Sequence, residues 1–139
     1  MDNTCRVTVG RLMEIRIHAG FGTEADVDAQ IDRVKSAMMT VPVGERVVIA
    51  ADWRKVSIMP TPVAERALRL LTTTSDRIER SGILAAPDSP TAVMQFFRLV
   101  RESQHPSRKV VTSNEELVAW LGPLLTPPER ERLDAFLRE

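Results

Sequence analysis

The feature that most constrains this chain is the uninterrupted apolar run Val47-Val48-Ile49-Ala50-Ala51. Five residues are too few for a helix of ordinary length, and a strand without polar alternation has to be covered on both faces. Such a strand belongs in the middle of a layered α/β sheet, with strands beside it and helices above and below. The pattern upstream is different. Residues 4–9 and 12–19 alternate, placing Val7 and Val9, then Met13, Ile15 and Ile17, on one face, with Glu14, Arg16 and His18 on the other. They read as two strands, and Gly10-Arg11 between them closes a hairpin. Val27, Ile31, Val34 and Met38 then recur at helical spacing behind Thr23 as N-cap, and Pro42 and Gly44 end that helix. Strand, helix and buried strand make a βαβ unit, which is right-handed in nearly all known cases.

The alternation continues downstream. Thr61 as N-cap and Pro62 as first helical residue precede Val63, Ala67, Leu70 and Leu71. Residues 81–86 form a short apolar strand, and Ser89-Pro90 opens a helix with Val93, Phe96, Phe97 and Val100 on one face. A turn at His105-Pro106-Ser107-Arg108 leads into a last strand at 109–111. Two capping boxes follow: Ser113 with Glu116, ahead of Leu117, Trp120 and Leu121, and Thr126 with Glu129, ahead of Leu133, Phe136 and Leu137. The predicted order is ββαβαβαβα over about 4–121, a single α/β domain with a central mixed sheet, followed by an extra C-terminal helix over about 126–138. A chain of 139 residues is long enough to bury one sizeable core.

Charge narrows the function classes. Nineteen basic residues are interspersed among nineteen acidic ones, so there is no cationic footprint for nucleic acid. Cys5 is the sole cysteine and has no internal partner, and the first residues lack a basic and apolar leader, which together predict a cytoplasmic protein. No apolar run is longer than the five residues of 47–51, against the ~20 residues a bilayer span requires, so no membrane insertion is expected. His18 and His105 stand apart from any metal-ligand spacing, and Gly20-Phe21-Gly22 lacks the third glycine of a dinucleotide fingerprint. The expectation is no metal, no cofactor and no enzyme activity.

The ending Lys109-Val110-Val111-Thr112-Ser113-Asn114-Glu115-Glu116-Leu117-Val118-Ala119-Trp120-Leu121 is similar to the SpoIIAA-like branch of the STAS fold, which closes with a strand, an acidic helix start and a Trp-Leu pair. STAS domains include anti-sigma-factor antagonists. The resemblance implies a non-catalytic regulatory module whose partner is a bacterial regulatory protein, a kinase or a sigma regulator. In those antagonists an Asp ends the central strand and a phosphorylatable Ser opens the next helix. Asp52 matches the first as a loop or switch residue. The loop after it lacks the Asp-Ser-Ser-Gly-like stretch of the family, and the candidate hydroxyls are Ser57 and Thr61.

The same loop is the candidate contact surface. Trp53, Ile58 and Met59 are costly to leave in water and would supply apolar contact, with Arg54 and Lys55 setting orientation. Met38, Met39, Met59 and Met94, with Phe96, Phe97 and Trp53, fill the core by default; the alternatives are an adaptable partner surface or a pocket for a small apolar or lipid-like ligand between helices and sheet. The apolar stripe of the last helix has to dock on the domain or on a second copy, which makes a homodimer a further expectation.

Overall fold

Caps and apolar stripes place the helices where those patterns predict them. The computed structural model describes residues 2–73 and 75–139; Met1 and Thr74 lie outside the described residues. The elements run β1 (Thr4–Val7), β2 (Leu12–Arg16), α1 (Glu24–Met38), β3 (Val47–Asp52), α2 (Thr61–Thr72), β4 (Ile78–Leu84), α3 (Pro90–Ser103), β5 (Arg108–Val111), α4 (Asn114–Leu121) and α5 (Pro127–Arg138). The five strands form a mixed sheet in the order β1-β2-β3-β4-β5, antiparallel between β1 and β2 and parallel thereafter.

All six residues of β3 are buried, and the pleat divides them between two cores. Val47, Ile49 and Ala51 face α1, α2 and α3, where they join Met13, Ile15, Val27, Val34, Ala67 and Phe96. Val48 and Ala50 face α4 and α5, together with Leu12, Leu84, Leu117, Leu133 and Phe136. The continuous apolar run follows from this two-sided burial.

The same cover corrects the reading of β2. Its polar face is not solvated: Glu14 is 1% exposed, because α5 lies across it and Arg132 donates to its carboxylate at 2.8 and 2.6 Å. The terminal helix thus supplies Leu133, Phe136 and Leu137 to the core of its own chain, and its stripe gives no argument for a dimer. Its N-terminus is tied to the hairpin. Glu129 completes the capping box with Thr126 and also accepts the Arg11 backbone N–H at 2.8 Å. Gly10, at φ +58°, sits where a Cβ would run into the Glu129 carboxylate, so glycine is needed there for both conformation and space.

The hairpin strands end earlier than predicted, at Val7 and Arg16, and β4 begins earlier, at Ile78, where it pairs with Val47. Arg108, expected in a turn, is the first residue of β5. Thr61 does not cap α2. The N-cap is Pro60, with no side-chain hydrogen bond, and Thr61 is the exposed first residue of the helix. The buried stripe of α3 is Ala92, Phe96, Leu99 and Ser103, which turns Phe97 outward at 51% exposure and Met94 at 73%.

Candidate functional site

The segment joining β3 to α2 folds back over the sheet end, and this settles which of its side chains meet solvent. The Trp53 backbone N–H donates to Leu84 at 2.9 Å, carrying the indole inward between Phe21 and Phe96, with edge-on contacts at 5.6 and 5.2 Å between ring centroids. Trp53 is 2% exposed and Met59 4%; the expectation that they stand in water is corrected, because a ring and a thioether of this size close the α1–α3 core at its upper end. Arg54, Lys55, Ser57 and Ile58 are exposed.

Asp52 braces the start of the segment. Its carboxylate accepts the Arg54 backbone N–H at 3.1 Å and Nε and Nη2 of the same arginine at 2.9 Å each, and Arg16 Nε lies 3.5 Å away. Burial pushes this carboxyl up, but the hydrogen bonds and charge of Arg54, with the charge of Arg16, outweigh it and hold the pKa below its ordinary value. Asp52 is therefore an ionised anchor, and Arg54 points back at it.

Gln95 on α3 fixes the other end. Its Oε1 accepts the Met59 N–H at 2.8 Å while its Nε2 donates to the Met59 carbonyl at 2.8 Å, the pairing of one strand residue with another. This clasp turns Met59 into the core and sets Ile58, 56% exposed, beside Met94 and Phe97 in one shallow groove. Arg98 and Arg101 line the same groove. Among the described residues no carboxylate lines it, and neither arginine has an ion-pair partner. A second groove, between α2 and α3, shares Gln95 and Arg98 and is lined by Thr61 and Glu65.

The structure thus brings Ile58 together with three groups that reading the loop alone passes over, Met94, Phe97 and the Arg98–Arg101 pair. The signal was present: positions 94, 97, 98 and 101 follow a helical i, i+3, i+4, i+7 spacing one step round from the core stripe.

The remaining reactive groups are quiet. Burial, partly opposed by Arg33, pushes the Cys5 thiol up to about 12, so it stays protonated at neutral pH. His105 braces its turn through Ile78 and Ser107, at 3.0 and 3.1 Å. Among the described residues no three His, Cys, Asp or Glu side chains converge as a metal site, and no helix is long and apolar enough to cross a membrane. The cavity between the sheet and helices α1 and α2 measures about 40 Å³. Ligand pockets usually run to ~300–1,000 Å³, so this space lends the lipid-carrier reading no support. Comparison with protein-family models, curated proteins and solved structures returns no match.

Proposed function

We propose that this chain is a non-catalytic, STAS-like interaction module that offers Ile58, Met94 and Phe97, flanked by Arg98 and Arg101, to an acidic amphipathic segment of a regulatory protein. The observation that carries the reading is the exposure of three large apolar side chains in one groove whose charged lining is wholly cationic. Apolar side chains gathered in this way cost hydration and mark contact surfaces, and unpaired arginines at the margin select a partner of opposite sign. The resemblance to anti-sigma-factor antagonists points to a bacterial kinase or sigma regulator as the partner, met in the cytoplasm. Lys55 adds a further exposed cation on the same segment.

Ser57 and Thr61 fit this reading as modification sites. Both are exposed, one directly before Ile58 and the other on the first turn of α2. A phosphate on Ser57 would add about two negative charges beside the apolar contact and oppose an acidic partner.

The test is a display library of peptides drawn from a bacterial proteome, selected on the wild-type chain and on Phe97→Asp. Enriched peptides should be acidic with apolar residues at helical spacing. They should bind Phe97→Asp at least about 30-fold more weakly, as loss of a central anchor predicts. Met39→Asp, at an exposed methionine on α1's C-terminal cap, should bind as wild type. No enrichment, or enrichment indifferent to Phe97, overturns the reading.

A further inference from the structure

The sheet ends in two edge strands, and they are finished differently. On β5 the backbone groups that face away from β4 belong to Arg108 and Val110, because Ser107 and Val111 accept from Ser81 and Ala85. Both residues are buried, at 7% and 4% exposure, so the chain covers that edge itself.

On β1 the same alternation leaves the edge open. Arg11 accepts from Val48 and Ile17 donates to Asp52, so the odd-numbered residues along β2 face β3, while Glu14 and Arg16 face β1. Pairing Arg6 with Glu14 and Thr4 with Arg16 uses the backbone groups of Arg6 and Thr4 and turns those of Cys5 and Val7 away from the sheet. Among the described residues no hydrogen bond reaches them. Both residues are half-buried and line a groove that α1 borders. Two N–H and two C=O groups, presented two residues apart on an extended chain, are the template for one more strand.

That strand can come from a second copy. With β1 set antiparallel to itself about a two-fold axis between the two Arg6 residues, Cys5 of each chain stands opposite Val7 of the other, and all four groups on each strand are paired. Charge permits the arrangement. Each Arg6 would face its copy, but each has Glu14 at 3.7 Å and Glu139 at 3.8 Å in its own chain. Asp32 and Arg33 in the groove supply one charge of each sign, and among the described residues neither is in an ion pair, so a copy meets a neutral surface with an opposite charge on offer. The other α1 residues in the groove, Ser36, Ala37 and Thr40, are small and leave room for the helix of the copy.

We propose that the open edge of β1 is a homodimer interface, at which two copies join their sheets into one through Cys5 and Val7. It uses none of the residues of the Ile58–Phe97 groove and is independent of that reading.

The test is sedimentation equilibrium of the whole chain from about 1 µM to about 1 mM, the span of weak assemblies. The average mass should rise from 15.6 kDa towards twice that value. Val7→Pro removes an N–H that serves the edge and leaves the β1–β2 ladder whole, so it should fold as wild type and associate at least about 30-fold more weakly. Amide hydrogen exchange of the wild type, in dilute and concentrated solution, gives a second readout that needs no variant. Cys5 and Val7 should exchange at least about 10-fold more slowly when concentrated, while Arg6, already bonded to Glu14, should not change. A monomer throughout the range overturns the proposal and leaves the edge to a strand of another protein. A dimer that Val7→Pro does not weaken, with both amides exchanging alike at the two concentrations, also overturns it, because the contact would then lie elsewhere.

Discussion

The α1–α3 face of the sheet and the α4–α5 face both exclude water, but they handle buried charge in opposite ways. Under α5, Glu14 meets Arg132, and Glu129 accepts from the Arg11 backbone. Arg16 lies 4.3 Å over Phe136, while Arg80 stacks 4.2 Å over Trp120 and donates to the Trp120 carbonyl at 2.9 Å. Under α1 and α2 the packing is aliphatic and aromatic, and among the described residues its one buried cation, Arg108, has no carboxylate beside it. On the α4–α5 face the buried carboxylates are paired within the chain and Arg16 and Arg80 rest on aromatic rings, whereas among the described residues Arg108 has neither a carboxylate nor a ring beside it. The terminal helix thus adds directional pairs to its apolar stripe of Leu133, Phe136 and Leu137.

That contrast can be broken in stages. The largest effect is expected from Trp53→Ala, which empties the space between Phe21 and Phe96. Urea unfolding should show a loss of about 4 kcal/mol, and a loss below about 1 kcal/mol would mean that the ring is not a core element. Next comes Arg132→Met, which among the described residues leaves the buried Glu14 with Arg6, at 3.7 Å, as its one ion-pair neighbour. Unpairing a buried carboxylate should cost about 3 kcal/mol, and the double variant Glu14→Leu, Arg132→Met should recover most of it. Failure of the double variant to recover would place the cost in packing rather than in charge.

Gly82→Ala probes how closely α4 approaches β4. A Cβ at Gly82 would run into Leu117 and press on Trp120, whose Nε1 donates to the Ser81 carbonyl at 3.0 Å. Overpacking of this kind should cost about 2 kcal/mol, with a change in Trp120 fluorescence as its local sign. The smallest effect is a pH dependence. Burial raises the Glu129 carboxyl, but hydrogen bonds from Arg11 and Thr126 outweigh it and hold the pKa below its ordinary value. The stabilisation is therefore present above the unfolded-state value of ~4.3 and lost as pH falls through the lower folded value. Urea midpoints should fall for the wild type below about pH 4. In Glu129→Gln that part of the slope should be missing.

Local chemistry made most of the fold legible. The β3 run announced a strand covered on both faces, Thr23 caps α1 as its position predicts, and Thr126 caps α5 in the box that Glu129 predicts. What stayed hidden depends on contacts distant in sequence. Glu14 looks solvent-facing until α5, more than a hundred residues later, is laid over it. Trp53 follows a strand in an irregular segment, and only the position of Phe96 on α3 shows that it turns inward. Phe96 and Phe97 are adjacent, and periodicity assigned both to the core; one step of 100° round the helix separates a buried ring from an exposed one. Of the candidate contact residues, Ile58 and Lys55 remain at the surface, while Arg54 is turned back onto Asp52. The groove partners on α3 lie more than thirty residues away from them in the chain.

The functional claim rests on the groove of Ile58, Met94 and Phe97, and its most direct measurement is the dissociation constant of one selected acidic peptide for three chains. The wild type should bind, Phe97→Asp should bind at least about 30-fold more weakly with an unchanged unfolding midpoint, and Ser57→Glu should bind about 10-fold more weakly. Equal affinity for all three would contradict the assignment of this surface.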